Sequence, residues 1–234
     1  MSLPLSQSDI QPAAAATAAA TPAAPQQPAT FFDTMPYSFA DIPIGGDYGI
    51  ATLPFLNAVH ATIPLFDTLG MLTFYPIKAD MANNIERLQL RFEQAPERCL
   101  TLQRIVDAEV RAGTHRNAES CAIGLLWLKR ALEFVIGFLD NIGKGEKVVS
   151  VAATKAYQQS LEPFYGMVSR GLFNVALLSL PAYSTFMAQL RRRDDVTDEQ
   201  IIAAICDFCD QMRDFVLILQ KFTIDKGIDT PRQT

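Results

Sequence analysis

Charged residues are scarce in this chain. They make up 19% of its 234 residues, against about 25% in an average soluble domain. The first Lys or Arg is Lys78, the formal net charge is −5, and we interpret the short basic runs at 129–130 and 191–193 as helix ends. Because binding to nucleic acid requires clustered cations that neutralise phosphates, we predict no nucleic-acid partner and no polybasic membrane anchor.

Candidate metal ligands are also few, with two histidines and four cysteines. Cys206 and Cys209 form a CxxC, but it falls within a helical pattern and no second CxxC accompanies it. A structural zinc site needs four such ligands, so we predict no metal site. We interpret the four thiols as buried and free in a reducing cytosol: Cys99, Cys121, Cys206 and Cys209.

Catalytic motifs are missing from the sequence. It contains no GxSxG, and the GKGEK stretch at 143–147 lacks the GxxxxGK[ST] order of a phosphate loop. No apolar run reaches the ~18 residues that a membrane-spanning helix requires. We therefore predict a protein that is not an enzyme, binds no cofactor and has no membrane span.

The chain divides by composition into a tail and a domain. Residues 1–40 are rich in Ala, Pro and Gln, which predicts a disordered N-terminal tail. The domain is predicted over residues 41–228, and residues 229–234 form a short second tail. Since the N-terminal tail has neither the basic start nor the apolar core of a signal peptide, we predict a cytosolic location.

The domain follows helical periodicity and nowhere shows the sustained alternation that marks strands. The predicted helices span 48–66, 76–95, 98–113, 118–143, 149–178, 182–191 and 197–226. Pro163 is expected to kink or split the fifth helix, and Thr197 with Gln200 predicts a capping box. An all-α chain with 49% hydrophobic residues and no catalytic motif is either a carrier for an apolar ligand or an interaction module.

One predicted helix carries polar residues beside its apolar face. The apolar face of PIKADMANNIERL (76–88) consists of Ile77, Met81, Ile85 and Leu88. Asp80, Asn84 and Arg87 follow one another at i, i+4 and i+7, so they share one side of the helix. This polar line is either a solvated helix flank or a recognition face for a polar ligand.

Four stretches together resemble the glycolipid transfer protein family. They are PLFDTLGMLTFYPIKADMANNIERL (64–88), LLWLKRALEFVIGFL (125–139), ATKAY (153–157) and FYGMVSRGLFNVALLSLP (164–181). The resemblance implies an all-α fold, a two-layer sandwich of about eight helices that encloses an apolar pocket for lipid chains. It also implies transfer of glycosphingolipids between membranes without vesicles, through transient peripheral contact with each membrane.

The same resemblance implies roles for five residues of a headgroup site. Asp80 matches an aspartate that accepts hydrogen bonds from the ceramide amide and the sugar, and Asn84 an asparagine that bonds the sugar. Arg87 stands where many members have lysine, and Trp127 matches a tryptophan on which the first sugar stacks. Tyr165 falls where the family usually has a histidine that bonds the ceramide carbonyl, and a tyrosine hydroxyl can still donate there.

A lipid carrier also needs an apolar lining, because each CH₂ group sheltered from water is worth about 0.8 kcal/mol. For each candidate, an ordinary core position is the alternative interpretation. The candidates are Phe66, Phe74, Phe134, Phe138, Leu161 and Phe173.

Two departures from the family pattern concern the headgroup. The branch that carries ceramide-1-phosphate has basic residues where this chain has Ile123 and Trp127, so a sugar is favoured over a phosphate. Arg87 weighs the other way, since a guanidinium is a good phosphate ligand. Ceramide-1-phosphate transfer, and a sphingolipid sensor or interaction module that moves little lipid, are the alternative functions.

Two further features concern membranes. Met167 stands where family members often present a tryptophan to the membrane, so we expect weaker docking, assisted by Phe164 and Val168. Phe31-Phe32, followed by Asp33, resembles the core of a motif that docks proteins onto receptors of the endoplasmic reticulum. The alternative interpretation of this pair is a hydrophobic strap that packs on the domain.

Overall fold

The protein is described by a computed structural model over residues 27–70 and 74–229. The helices are α1 Thr52–Thr62, α2 Asp67–Gly70, α3 Tyr75–Gln94, α4 Leu102–Ala112, α5 Cys121–Gly143, α6 Val149–Ser160, α7 Met167–Leu178, α8 Tyr183–Leu190 and α9 Asp198–Asp225. Short 3-10 turns span Phe32–Thr34, Phe39–Asp41, Ile63–Phe66, Pro96–Arg98 and Glu162–Phe164. The only β pairing among the described residues consists of isolated bridges, which confirms the predicted all-α class.

Helix α5 is the centre of the molecule. Its side chains are buried along most of its length, and it packs against α3, α4, α6 and α9. The sequence predicted this position because residues 125–139 are apolar on most sides.

Helix ends follow local sequence signals in several places. The Thr197 hydroxyl accepts from the Gln200 amide N–H, and the Gln200 side chain accepts from the Thr197 N–H, so the predicted capping box is confirmed. The predicted break at Pro163 is also confirmed, since a 3-10 turn separates α6 from α7. The first predicted helix starts too early, because Ile50 and Ala51 form isolated β-bridges and α1 begins at Thr52.

The predicted N-terminal tail is corrected over residues 27–40, which pack on the helices. The Phe31 side chain is only 6% exposed, and the Phe32 ring lies 4.9 Å from that of Phe208 on α9. Burying these rings offsets the entropy lost by ordering a chain that is otherwise rich in small residues. This is the strap arrangement that the sequence left as an alternative, and the preceding 26 residues lie outside the described structure.

The predicted C-terminal tail starts one residue too early. Asp229 is 6% exposed and forms ion pairs inside the domain, whereas residues 230–234 lie outside the described structure. The interpretation of 129–130 as a helix end is wrong, because both residues are buried in the middle of α5. Arg191 does follow the last residue of α8.

The four thiols are free, as predicted, but they are not all buried. Cys99, Cys121 and Cys209 are buried, while Cys206 is exposed. Both cysteines lie on α9, where Cys209 faces the core and Cys206 lies at the exposed edge of the buried face. Within the described residues no cluster of three or more His, Cys, Asp or Glu side chains has the geometry to hold a metal ion.

No single helix among the described residues has both the length and the apolar composition to cross a membrane. Arg170–Leu178 and Tyr183–Leu190 together meet those two criteria, but they are bent by 92° relative to each other.

Candidate lipid-binding site

Helix α3 positions the polar line against α5. Met81, Ile85 and Leu88 are almost completely buried, which confirms the predicted apolar face of this helix. Burial of that face sets the rotation of α3, so the neighbouring polar residues come to lie along the seam between α3 and α5. Asp80 and Arg87 occupy two ends of that line.

A cavity of about 380 Å³ opens beside Asp80. Its wall is formed by α3, α5 and α7, and by the turn that follows α6. The lining residues are Pro76, Ile77, Asp80, Trp127, Phe164, Tyr165, Gly166, Leu172, Phe173 and Ala176. Asp80, Trp127 and Tyr165, which lie far apart in sequence, therefore meet in one cavity.

The aromatic side of this cavity is formed by two rings. The Trp127 and Tyr165 centroids are 5.5 Å apart, with an angle of 31° between the ring planes. Both side chains are half-buried, so each keeps one face or edge available. The pair offers a flat apolar surface next to a carboxylate, which is the combination that the pyranose ring of a sugar can use.

Burial raises the pKa of both oxygen-bearing groups of the site, the Asp80 carboxyl and the Tyr165 hydroxyl. Loss of hydration raises the pKa of Asp80 above its usual value, and the nearby Arg87 charge opposes this only in part. Burial also raises the pKa of Tyr165, and the negative charge of Asp80 raises it further. The tyrosine hydroxyl therefore remains a donor at neutral pH, beside a carboxylate that is an acceptor.

Asn84 and Arg87 do not line the cavity. The Asn84 side chain is 3% exposed, and its Nδ2 donates to the backbone carbonyl of Asp80 at 2.9 Å. Arg87 turns toward the loop before α5, where Nη2 donates to the Glu119 carboxylate at 2.8 Å. Asp80 therefore lines the cavity, whereas Asn84 and Arg87, which helical spacing places on the same side of α3, do not.

The close approach of α3 and α5 depends on Gly124. A Cβ at that position would lie 3.3 Å from Asn84 Oδ1 and 3.5 Å from Arg87 Nη1. The first distance is tighter than most contacts of real Cβ atoms, so a Cβ would push against Asn84, whereas the second is an ordinary van der Waals contact. Gly124 therefore permits the tight seam in which Asn84 is buried.

The predicted chain-lining residues form a closed aromatic cluster. Ring centroids lie 5.9 Å apart for Phe66 and Phe74, 6.2 Å for Phe66 and Phe134, and 5.5 Å for Phe134 and Phe173. Phe138 stacks on Phe134 at 6.4 Å, which continues the cluster. Only Phe173 among them lines the cavity, and the remaining candidate, Leu161, is 2% exposed.

The residues proposed for membrane contact occupy different environments. Met167 is 89% exposed at the start of α7. Phe164 is half-buried and lines the cavity, with the Arg130 guanidinium 3.4 Å from its ring centroid, and its contact with the membrane stays a prediction. Val168 belongs to α7, but its side chain lies outside the described structure.

An ionic cluster that was not predicted from the sequence contacts the site. Lys129 and Arg130 are 2% and 6% exposed, and both donate to the carboxylate of Asp229. Two cations inside an apolar helix require buried anionic partners, so the sequence could have predicted that such a partner exists. It does not identify the partner, which lies about a hundred residues away in sequence.

Residues 50–192 match the family described as Glycolipid transfer protein (GLTP). The chain belongs to this family. The predicted recognition is confirmed, and the family is one of lipid transfer proteins. The match covers both helices that carry Asp80 and Trp127.

Curated relatives agree with this assignment. Pleckstrin homology domain-containing family A member 8 from Rattus norvegicus is 39% identical over 175 residues, which cover 75% of this chain but 34% of that protein. The Glycolipid transfer protein of Danio rerio is 34% identical over 181 residues, covering 74% of this chain and 86% of that one. This chain thus spans about a third of the rat relative.

Solved structures confirm the two-layer helical sandwich. The GLTP-fold structure of FAPP2, reported to select simple glycosphingolipids, has a TM-score of 0.78 and 34% identity, covering 86% of this chain and 98% of that one. HET-C2, a fungal glycolipid transfer protein, has a TM-score of 0.77 and 28% identity, with 86% and 100% covered. Human ceramide-1-phosphate transfer protein shares the fold at 19% identity, with a TM-score of 0.69 and 80% and 93% covered.

Proposed function

We propose that this protein transfers glycosphingolipids between membranes without vesicles. It holds the headgroup at the cavity beside Asp80 and the ceramide chains in the apolar interior. The observation that carries the proposal is the convergence of Asp80, Trp127 and Tyr165 on one cavity. Relatives described as glycolipid transfer proteins, and as selecting simple glycosphingolipids, support this choice of lipid.

The three groups suit three parts of such a lipid. The Asp80 carboxylate accepts from sugar hydroxyls and from the ceramide amide N–H. The Trp127 ring provides a flat surface for the apolar face of the first sugar. The Tyr165 hydroxyl donates to the ceramide carbonyl, in the role that a histidine fills in other members, and its raised pKa keeps it protonated.

Asn84 and Arg87 support the headgroup from outside the cavity. The Asn84 amide fixes the backbone of Asp80, and its Oδ1 faces the seam with α5. The Arg87 guanidinium donates to the Glu119 carboxylate and, through Nη1, to two backbone carbonyls of the loop before α5, each at 3.4 Å. A guanidinium already paired with a carboxylate attracts phosphate less, which favours a neutral sugar over ceramide-1-phosphate.

Lipid chains require the aromatic cluster to separate. A cavity of about 380 Å³ lies near the lower end of the range of ~300–1,000 Å³ for small-molecule pockets. Phe173 stands between the cavity and the cluster of Phe66, Phe74 and Phe134. Displacement of Phe173 with α7 therefore opens a continuous apolar path from the headgroup into the interior.

An exposed apolar surface beside the cavity serves as the membrane contact. Met167 and Leu178 on α7 are 89% and 88% exposed, and Tyr75 at the start of α3 is 67% exposed. Apolar side chains at such exposure gain by insertion into a membrane interface. Contact is transient and peripheral, and the protein acts from the cytosol.

Docking onto an endoplasmic-reticulum receptor through Phe31-Phe32 would need the strap to detach. Phe31 is buried, and its backbone N–H donates to the Leu190 carbonyl at 2.7 Å. A receptor therefore competes with the domain for the same ring. This cost favours the strap over receptor docking as the role of the pair.

The test is a transfer assay between donor and acceptor vesicles with labelled glucosylceramide, galactosylceramide and ceramide-1-phosphate. We expect transfer of the two sugar lipids and little transfer of the phosphate form. Preference for ceramide-1-phosphate would overturn the assignment of the lipid, and binding without transfer would favour a sensor. Asp80→Val is expected to abolish transfer without unfolding the protein, because Asp80 is solvent-accessible.

Asp225→Val is the matched control. Asp225 is an exposed carboxylate at the end of α9, paired with Lys221 at 2.7 Å, and it is not among the residues that line the cavity. Its replacement is expected to leave transfer unchanged. Equal transfer by the wild type and by Asp80→Val would show that the headgroup binds elsewhere.

A further inference from the structure

A buried ionic cluster lies directly behind the aromatic wall of the cavity. The Asp229 carboxylate accepts from Arg130 Nη2 at 2.9 Å through Oδ1 and from Lys129 Nζ at 2.8 Å through Oδ2. Lys129 also pairs with Glu133 at 3.1 Å. The Asp229, Lys129 and Arg130 side chains are each 7% exposed or less, so solvent provides little alternative hydration for these charges.

Arg130 connects this cluster to the cavity wall. Its guanidinium carbon lies 3.4 Å from the ring centroid of Phe164 and 5.1 Å from that of Trp127. Both rings line the cavity. One cation therefore touches the carboxylate behind the site and two aromatic side chains that form it.

The arrangement joins three elements that are distant in sequence. Arg130 and Trp127 lie on α5, Phe164 lies in the turn after α6, and Asp229 follows the end of α9. The Arg130 guanidinium is planar, and the hydrogen bond from its Nη2 to Asp229 Oδ1 restricts where the group lies. The position of the guanidinium in turn affects how Trp127 and Phe164 pack on it.

Lys129 does not replace this constraint. Its ammonium binds the other carboxylate oxygen of Asp229 and has Glu133 as a second anion. Loss of Asp229 would leave Lys129 with Glu133 and would remove the hydrogen bond that Arg130 Nη2 donates to Asp229 Oδ1. The second of these changes affects the residue that contacts the aromatic wall.

We propose that Asp229 is a positioning residue of the lipid site. By holding Arg130 behind Trp127 and Phe164, it makes the stacking surface depend on the segment that follows α9. The inference rests on the proposed function for its consequence in lipid binding, but its structural part concerns the lipid-free protein alone.

The chain provides a direct probe, because Trp127 is its only tryptophan. Asp229→Asn keeps the size of the side chain and removes its charge. We expect the Trp127 emission maximum to shift and acrylamide quenching to increase in the lipid-free full-length protein. Affinity for glucosylceramide is expected to fall about fivefold, the effect of one partly desolvated cation–π contact.

The matched control is Asp140→Asn. Asp140 is also on α5 and accepts two hydrogen bonds from Arg213 Nη2, at 2.6 and 2.8 Å, but neither residue lines the cavity. Its replacement is expected to lower thermal stability while leaving Trp127 emission and quenching at wild-type values. A purely structural role for Asp229 predicts the same behaviour for both variants.

A second variant keeps the proposal testable if Asp229→Asn does not fold. Arg130→Lys retains a cation for Asp229 but removes the planar group behind the rings, and it is expected to reproduce the Trp127 changes. Wild-type Trp127 fluorescence in both variants, or equal changes in Asp140→Asn, would overturn the proposal. If the wild type binds no glycolipid but Asp229→Asn still alters Trp127, the proposed function fails and the positioning role stands.

Discussion

The Arg87 guanidinium donates to the Glu119 carboxylate at 2.8 Å, and neither residue lines the cavity of the candidate site. The Glu119 side chain is 87% exposed, so the pair is open to competition from an anionic headgroup. A phosphate that approaches Arg87 must replace this carboxylate or share the guanidinium with it. Under the proposed function we therefore expect the pair to disfavour a phosphate, whereas a neutral sugar has no charge that competes with Glu119.

Glu119→Gln should relax this discrimination. We expect the ratio of ceramide-1-phosphate to glucosylceramide binding to rise up to about fivefold, since exposed ion pairs are worth at most ~1 kcal/mol. The measurement is competitive displacement of labelled glucosylceramide by each lipid. Glu97→Gln, a change at another exposed acid, is the control, and an unchanged ratio in Glu119→Gln would remove Arg87 from the headgroup site.

Binding should depend on pH through Asp80. Desolvation raises the pKa of this carboxyl above its usual value near ~3.9, with Arg87 opposing in part. A lipid that hydrogen-bonds the carboxylate binds the ionised form, so affinity is full above the raised pKa and falls as the pH drops through it. Tyr165 does not contribute to this change, because its own pKa is raised and its hydroxyl stays protonated.

The measurement for Asp80 is a glycolipid titration at successive pH values from neutral into the acid range. The wild type is expected to lose affinity in mild acid, and Asp80→Asn to bind weakly with little pH dependence. A wild-type profile that survives in Asp80→Asn would assign the titration to another group.

Tyr165→Phe should weaken binding while it preserves the wall of the cavity. The ring that packs 5.5 Å from Trp127 remains, and only the hydroxyl donor is lost. Loss of one hydrogen bond predicts affinity lower by about two- to tenfold. Tyr183→Phe, a half-buried tyrosine outside the cavity, should bind as the wild type does, and equal binding by both variants would show that the hydroxyl makes no contact.

Phe31→Ala tests the strap. The ring is 6% exposed, and removal of a buried phenylalanine costs about 3–5 kcal/mol of unfolding free energy, provided that the segment stays packed. Thermal or denaturant unfolding measures this loss. Tyr37→Ala, at a side chain that is 51% exposed, is expected to change stability little. A similarly small loss for Phe31→Ala would show that this segment does not pack on the domain and belongs to the tail.

Local signals predicted the fold well because they act within one helix. The capping box at Thr197 and the break at Pro163 each depend on residues at most a few positions away. Phe31 and Phe32 had no such signal, since the Phe31 N–H donates to the Leu190 carbonyl of α8 and the Phe32 ring packs against Phe208 of α9. A composition-based boundary at residue 40 therefore included a packed segment in the tail.

The site was predictable in part for a related reason. Helical spacing placed Asp80, Asn84 and Arg87 on one side of α3, but the approach of α5 at Gly124 decides which of them reaches the cavity. Asp229 could not be found from spacing, because its partner Arg130 is about a hundred residues away. Contacts between elements, rather than properties of single helices, determined every residue that the sequence misplaced.

Two exposed apolar residues of α7, Met167 and Leu178, test the proposed membrane contact. Met167 is 89% exposed and Leu178 is 88% exposed, so replacing either should leave the fold intact. A tryptophan prefers the membrane interface more strongly than a methionine does, so Met167→Trp should increase binding to vesicles and Leu178→Asp should decrease it. Sedimentation with neutral phosphatidylcholine vesicles measures both effects.

The control for the membrane surface is Leu217→Asp. This leucine on α9 is 65% exposed and lies beside a different surface groove, together with Tyr48 and Phe222. Its replacement removes a comparable exposed apolar side chain and should leave vesicle binding unchanged. If Leu217→Asp lowers binding as much as Leu178→Asp does, the membrane contacts α9 instead, and the surface around Met167 would have to be reassigned.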